Sequence, residues 1–172
     1  MNIKSIMDAA SKSFKVTDDR VVLHKKAFLD ILAHKELTSF SKNMAIYFLS
    51  YNCNNMGLFM VYPSYKYLAD IFNVKQATIG NAIRNLKDNY IIYTVWDKFG
   101  RRYKRKAFYI ILPLISKKIQ ESYMDFLENY FEFDRSDIIT KITEYRSLVG
   151  QTNMTCELEA NDEENNEDMQ FE

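Results

Sequence analysis

The sequence predicts an α+β fold, mainly α, and three observations predict it. Apolar residues recur at three- and four-residue steps through most of residues 1–150, the period of a helix with one buried face. The period switches to two in only two neighbouring segments, Ile91 to Trp96 and Lys104 to Leu112, both rich in β-branched and aromatic residues. The 172 residues are 47% hydrophobic, with 12 Phe and 12 Tyr but only four Gly and two Pro. Such a composition supports a packed core and excludes a collagen-like, disordered or disulfide-rich body.

Each element has its own signal. Ile3, Ile6, Met7, Ala10 and Phe14 predict a short amphipathic helix over residues 1–15, and Thr17-Asp18-Asp19 breaks it. Residues 22–34 resume the apolar helical pattern with Val22, Leu23, Phe28, Leu29, Ile31 and Leu32. Ser39 or Ser41 can cap a third helix by accepting from free first-turn amides, with Met44, Ala45, Phe48 and Leu49 inward. Turn chemistry over Asn52 to Gly57 precedes an extended piece, Leu58 to Tyr62. After Pro63, Ser64 caps a helix through Phe72, with Leu68, Ala69 and Phe72 inward. Asn73-Val74-Lys75 is a tight break. A helix to about Asn89 follows, with Ile79, Ala82, Ile83 and Leu86 on its inner side. The two strands come next, joined by Asp97 to Tyr103 and ended by Pro113. Ile119, Tyr123, Phe126, Leu127 and Tyr130 then form an apolar stripe to about Phe133. Asp134 or Ser136 can cap a last helix holding Ile138, Ile139, Ile142, Tyr145 and Val149. From Gly150 the chain turns polar and acidic and is expected to be disordered.

The net charge of zero hides an uneven layout. Residues 157–172 hold eight acidic residues and no basic one, while residues 75–106 hold nine basic and two acidic residues. Such asymmetry points to a nucleic-acid or membrane partner plus an acidic tail. Within the basic window, Lys98, Arg101, Arg102, Lys104, Arg105 and Lys106 fall within nine residues of the hairpin. Each phosphate that such a cluster neutralises releases counterions, so the affinity it supplies falls steeply with salt.

Two short helices across a three-residue turn, followed by a basic two-stranded hairpin, form a winged helix-turn-helix pattern. One helix fits the DNA major groove, where each base pair presents a distinct donor and acceptor pattern. Removing the inward positions of the second helix leaves Lys75, Gln76, Thr78, Gly80, Asn81 and Arg84 facing out. Gln and Asn can bond an adenine edge bidentately, and Arg a guanine edge. Gln76, Asn81 and Thr78 are therefore assigned to base reading. Lys75, Arg84, Lys87, Ser64 and Tyr65 suit phosphate contact. Gly80 allows close backbone approach to DNA.

Residues 37–92 resemble the winged helix-turn-helix domains of bacterial plasmid and phage replication proteins and related regulators. The resemblance is carried by Pro63-Ser64, Leu68-Ala69, Thr78-Ile79, Ala82-Ile83, Leu86 and Ile92. The chain departs from the pattern at Lys75, often a capping Ser, and at Tyr90, often Gly. Asn89 can supply the left-handed residue in its place. The segment Asp19 to Leu37 is also similar to what precedes the domain in plasmid replication initiators. The resemblance implies sequence-specific binding of double-stranded DNA in replication initiation, maintenance or transcriptional control of a mobile element. Frequent Asn, Ile, Lys, Tyr and Phe, as in AT-rich coding sequence, fit such a source.

Four regions are expected: an N-terminal helical extension (1–36), a winged helix-turn-helix domain (37–113), C-terminal helices for packing or dimerisation (114–150), and the acidic tail (151–172). The aromatic stripe of the C-terminal helices favours a homodimer, which doubles the phosphate contacts and sets half-site spacing. The tail can solubilise, compete with DNA for the basic hairpin, or recruit a protein partner through Met169 and Phe171. Cys53 and Cys156 alone make no disulfide framework, and a reducing cytoplasm fits. His24 and His34 lack a third ligand at metal spacing, so neither a metal nor another cofactor is expected. No Gly-rich phosphate loop, HExxH or GxSxG occurs, and no catalysis is expected. The N-terminus lacks a signal-peptide apolar run, and Ala107 to Ile115 is far short of a membrane span. A protein-interaction adaptor on the same scaffold is the alternative to DNA binding.

Overall fold

The computed structural model describes residues 24–52, 59–98 and 107–150. The expected helix over residues 1–15, the turn after Asn52, Cys53 and Cys156, the hairpin tip with Arg101, Arg102, Lys104, Arg105 and Lys106, and the acidic tail lie outside the described residues. In chain order the elements are α1 (Lys25–Ala33), α2 (Ser39–Asn52), β1 (Met60–Val61), α3 (Tyr65–Phe72) and α4 (Gln76–Asp88). Then come β2 (Ile92–Asp97), β3 (Ala107–Ile111), a 3-10 turn (Leu112–Leu114), α5 (Gln120–Tyr130), β4 (Phe131–Glu132) and a helix over 135–150, α6. The chain is thus mainly helical, with one small antiparallel sheet in the order β1-β3-β2-β4.

The register explains the apolar run after Ala107. β3 pairs with β1 through Met60↔Ile110 and with β2 from Ile92↔Ile111 to Trp96↔Ala107, so it is an inner strand. Its alternate side chains enter two different cores. Tyr109 and Ile111 join Ile31, Met44, Phe48, Leu49, Leu68, Ile79, Ile83 and Leu86 of α1–α4. Phe108 and Ile110 join Tyr123, Met124 and Leu127 of α5 and Ile138 and Ile142 of α6. A strand covered on both faces has no polar alternation, which is why the segment is continuously hydrophobic. The molecule is three layers: four helices, the sheet, two helices.

Local hydrogen bonds fix the helix ends. Ser64 caps α3, its Oγ accepting from the Tyr67 amide at 3.1 Å. Asp134 caps α6, its Oδ1 accepting from the amides of Ser136 (2.9 Å) and Asp137 (3.1 Å) and from the Ser136 hydroxyl (2.6 Å). Those donors favour the ionised carboxyl and hold Asp134 below its usual range. At α2 the cap is Thr38, not Ser39 or Ser41. Thr38 Oγ1 accepts from the Ser41 amide (3.1 Å) and donates to the Ser41 hydroxyl (2.8 Å). Thr38, Ser39 and Ser41 all carry hydroxyls near the helix start, which left the cap ambiguous in the sequence. The last turn of α1 is met by a cation: Lys42 Nζ donates to the Leu32 carbonyl at 2.6 Å.

Two expectations about buried faces change. On α1 only Ala27 and Ile31 are buried, while Leu29 and Leu32 are 50% and 43% exposed. Residues 100° apart cannot all face one neighbour, and the i, i+4 pair Ala27 and Ile31 is the one turned to the core. The aromatic stripe of the C-terminal helices is used within the chain. Tyr123, Leu127 and Phe131 are buried and Phe126 and Tyr130 half-buried against the sheet's second face. The flanking helices also share the main core, where Tyr145 of α6 donates to Asp30 Oδ2 of α1 at 3.0 Å.

Candidate nucleic-acid interface

The α3–α4 pair is built by its turn. Asn73 adopts φ 51° at the end of α3, a left-handed conformation that asparagine tolerates. The Val74 amide then reaches back to the Ala69 carbonyl at 3.0 Å, closing the helix. Three residues, 73–75, separate the helices. Lys75 stands at the N-cap of α4 with no side-chain cap bond, so first-turn amides of α4 are left without a side-chain acceptor.

α4 divides sharply. Ile79, Ala82, Ile83 and Leu86 are buried. Lys75, Gln76, Thr78, Asn81 and Arg84 are all exposed, and none makes a side-chain hydrogen bond or ion pair with the described residues. Asn85 does the opposite. Its Oδ1 accepts from the Thr38 amide (3.2 Å) and its Nδ2 donates to the Glu36 carbonyl (3.4 Å), fastening α4 to the start of α2. That positioning role was not visible in the sequence, because its partners lie far back along the chain.

The α4 terminus corrects the expectation for Asn89. The left-handed residue is Tyr90, at φ 57°, the position where the resembling family often has Gly. Asn89 stays at φ −102° and its Nδ2 donates to the Asn85 carbonyl at 2.8 Å. Paired returns, Tyr90 amide to Lys87 carbonyl (3.1 Å) and Ile91 amide to Leu86 carbonyl (2.9 Å), hold Tyr90 there. Gly80 sits under Tyr65, and a Cβ at Gly80 would lie 3.6 Å from Tyr65 Cε2, an ordinary contact. Nothing in the protein's own packing requires glycine.

The other expected contact residues have structural duties as well. Ser64 spends its acceptor on the cap and keeps an exposed hydroxyl. Tyr65 is 38% exposed and hydrogen-bonds Tyr109, which burial and that neighbour push to a higher pKa. Lys98 donates from Nζ to the Glu128 carbonyl at 3.2 Å, at the C-terminal end of α5, with its amide bonded to the Tyr130 carbonyl at 3.1 Å. This binds the base of the hairpin to α5 and turns Lys98 towards that helix.

Beyond Arg84 the basic side of α4 runs into a groove of about 530 Å³ against the edge of β2. Lys87, Tyr90, Thr94, Trp96 and Lys141 line it, with Asp88 the one acidic lining residue. β4 pairs with β2 only at Trp96 and Asp97, so no described strand covers the edge at Ile92 and Thr94.

Among the described residues no three His, Cys, Asp or Glu side chains come together as a metal site. Among the same residues, no helix is long and apolar enough to cross a membrane. Comparison with protein-family models, curated proteins and solved structures finds no match to this chain.

Proposed function

We propose that α3, α4 and the β2–β3 hairpin form a winged helix-turn-helix that binds double-stranded DNA sequence-specifically, without catalysis. The observation that carries this reading is the outer side of α4. Gln76, Thr78, Asn81 and Arg84 stand exposed with no side-chain partner among the described residues, in a chain whose β2–β3 joining segment is densely basic in sequence. Arg84 and Lys75 suit phosphates, Gln76 and Asn81 base edges. Arg101, Arg102, Lys104 and Arg105 supply electrostatic affinity, and Ser64 and Tyr65 flank the helix pair. The resemblance to plasmid and phage replication proteins makes replication initiation, maintenance or transcriptional control of a mobile element the biological task we favour.

A homodimer belongs to this reading, though not through the α5 stripe that the chain buries itself. The exposed Leu29 and Leu32 of α1 are the apolar pair it would use instead. Light scattering of the protein counts the copies. A titration of labelled random duplex at two salt concentrations tests DNA binding. The reading predicts binding that weakens steeply with salt. Absence of binding, or affinity indifferent to salt, would favour a protein-interaction adaptor on the same scaffold.

A further inference from the structure

The groove between the end of α4 and the outer edge of β2 has no part in the reading above, and its chemistry is specific. Trp96 is the chain's one tryptophan, and it stands 45% exposed on the groove wall. Lys87 lies three residues beyond Arg84, on the same exposed side of α4. Lys141 reaches in from α6, its Nζ held 5.0 Å over the ring of Tyr90. Two ammonium groups call for oxyanions. An exposed indole beside them calls for a flat apolar face. One carboxylate, Asp88, sets the limit on how much negative charge the groove tolerates.

We infer that the DNA-facing surface continues from α4 into this groove, which takes a stretch of duplex sugar–phosphate backbone. Lys87 and Lys141 meet phosphate oxygens, and Trp96 lies against a deoxyribose. This rests on the DNA-binding reading of α4. Its particular content is that α6, outside the helix–turn–helix and hairpin, contributes a phosphate contact. An acidic peptide strand added to the open edge of β2 is the competing occupant. Continuity decides between them: the groove extends the exposed basic side of α4 past Arg84, and in sequence Trp96 is followed by the six basic residues from Lys98 to Lys106.

The full chain provides its own probe, because all tryptophan emission comes from Trp96. Random duplex DNA should change that emission along the same binding curve that anisotropy of the labelled duplex follows. Lys141→Ala should lower the slope of log affinity against log salt by about one, equally for all sequences. Lys141→Arg, which keeps the charge, should restore it. Thermal melts of both variants separate loss of contact from loss of fold. If the parent binds DNA while its emission is unchanged and Lys141→Ala keeps the parental slope, the groove assignment is wrong and the α4 reading stands. Emission that responds to a polyglutamate peptide but not to DNA also overturns it, in favour of the peptide strand. If the parent binds no duplex at all, both readings fall together.

Discussion

α4 and α5 lie on opposite faces of one sheet and bury similar side chains against it, yet their outer sides differ in kind. On α5 the outward charges are Glu121, Asp125 and Glu128, and Arg135 of α6 bonds all three at 2.7, 3.0 and 3.0 Å. Those hydrogen bonds push the guanidinium still further towards its charged form. The outer side of α5 is satisfied within the chain. On α4 the outward groups are neutral amides, a hydroxyl, cations and, at its last residue, the Asp88 carboxylate, and none of Gln76, Thr78, Asn81 or Arg84 has a partner among the described residues. Burial does not distinguish the two helices. What distinguishes them is which hydrogen-bonding groups have no partner among the described residues, and that difference is what supports the role proposed for α4.

The comparison can be broken first on its shared half. Leu86 of α4 and Leu127 of α5 are both fully buried. Each changed to Ala should cost about 2–5 kcal/mol in urea unfolding, because a cavity adds to the lost transfer energy. A loss confined to Leu86 would mean that α5 is an appendage rather than a second core. The polar half is sharpened by Arg101 and Arg102 together changed to Ala. This pair should weaken binding to every duplex alike and lower the salt slope by about two. A double variant that binds random DNA as the parent does removes the hairpin from the interface.

Smaller effects follow from Gly80 and His34. Gly80→Ala should stabilise the protein by about 1 kcal/mol, the helix-propensity difference, because the new Cβ meets only an ordinary contact with Tyr65. If the glycine serves close approach to DNA, the same variant loses affinity while its melting temperature rises. His34 has both ring nitrogens buried without hydrogen-bond partners among the described residues. Burial first, then Lys42, lowers its pKa below the ordinary 6.5. The folded state therefore binds protons less readily than the unfolded state. Its contribution to stability is complete above pH 6.5 and declines as pH falls below that value towards the folded pKa. The urea midpoint should drop modestly from pH 7.5 to 5.5, and His34→Gln should shrink that drop. An unchanged pH dependence in the variant would place the sensitivity elsewhere.

The helix pair was legible in the sequence because its signals are local. Ser64, the Asn73–Lys75 break and the spacing of Ile79, Ala82, Ile83 and Leu86 each act within a few residues, and each is found where the pattern put it. The fate of the aromatic stripe was not legible. A helix face of Tyr123, Phe126 and Leu127 looks the same whether its partner is a second copy or the chain's own sheet. Asn89 was favoured for the left-handed turn by propensity, but the return bonds of Tyr90 and Ile91 assign that conformation to Tyr90. Trp96 and Lys141 could not be connected at all, since only the packing of α6 across the end of α4 brings them to one groove.

The central claim is that the outer side of α4 reads base sequence. It is tested most directly by selecting a bound duplex from a random pool, then measuring the affinity ratio between that duplex and a scrambled one. Asn81→Ala and Gln76→Ala should each reduce the ratio by the equivalent of about 1–3 kcal/mol while leaving affinity for the scrambled duplex near the parent's. A ratio that survives both substitutions would contradict the account.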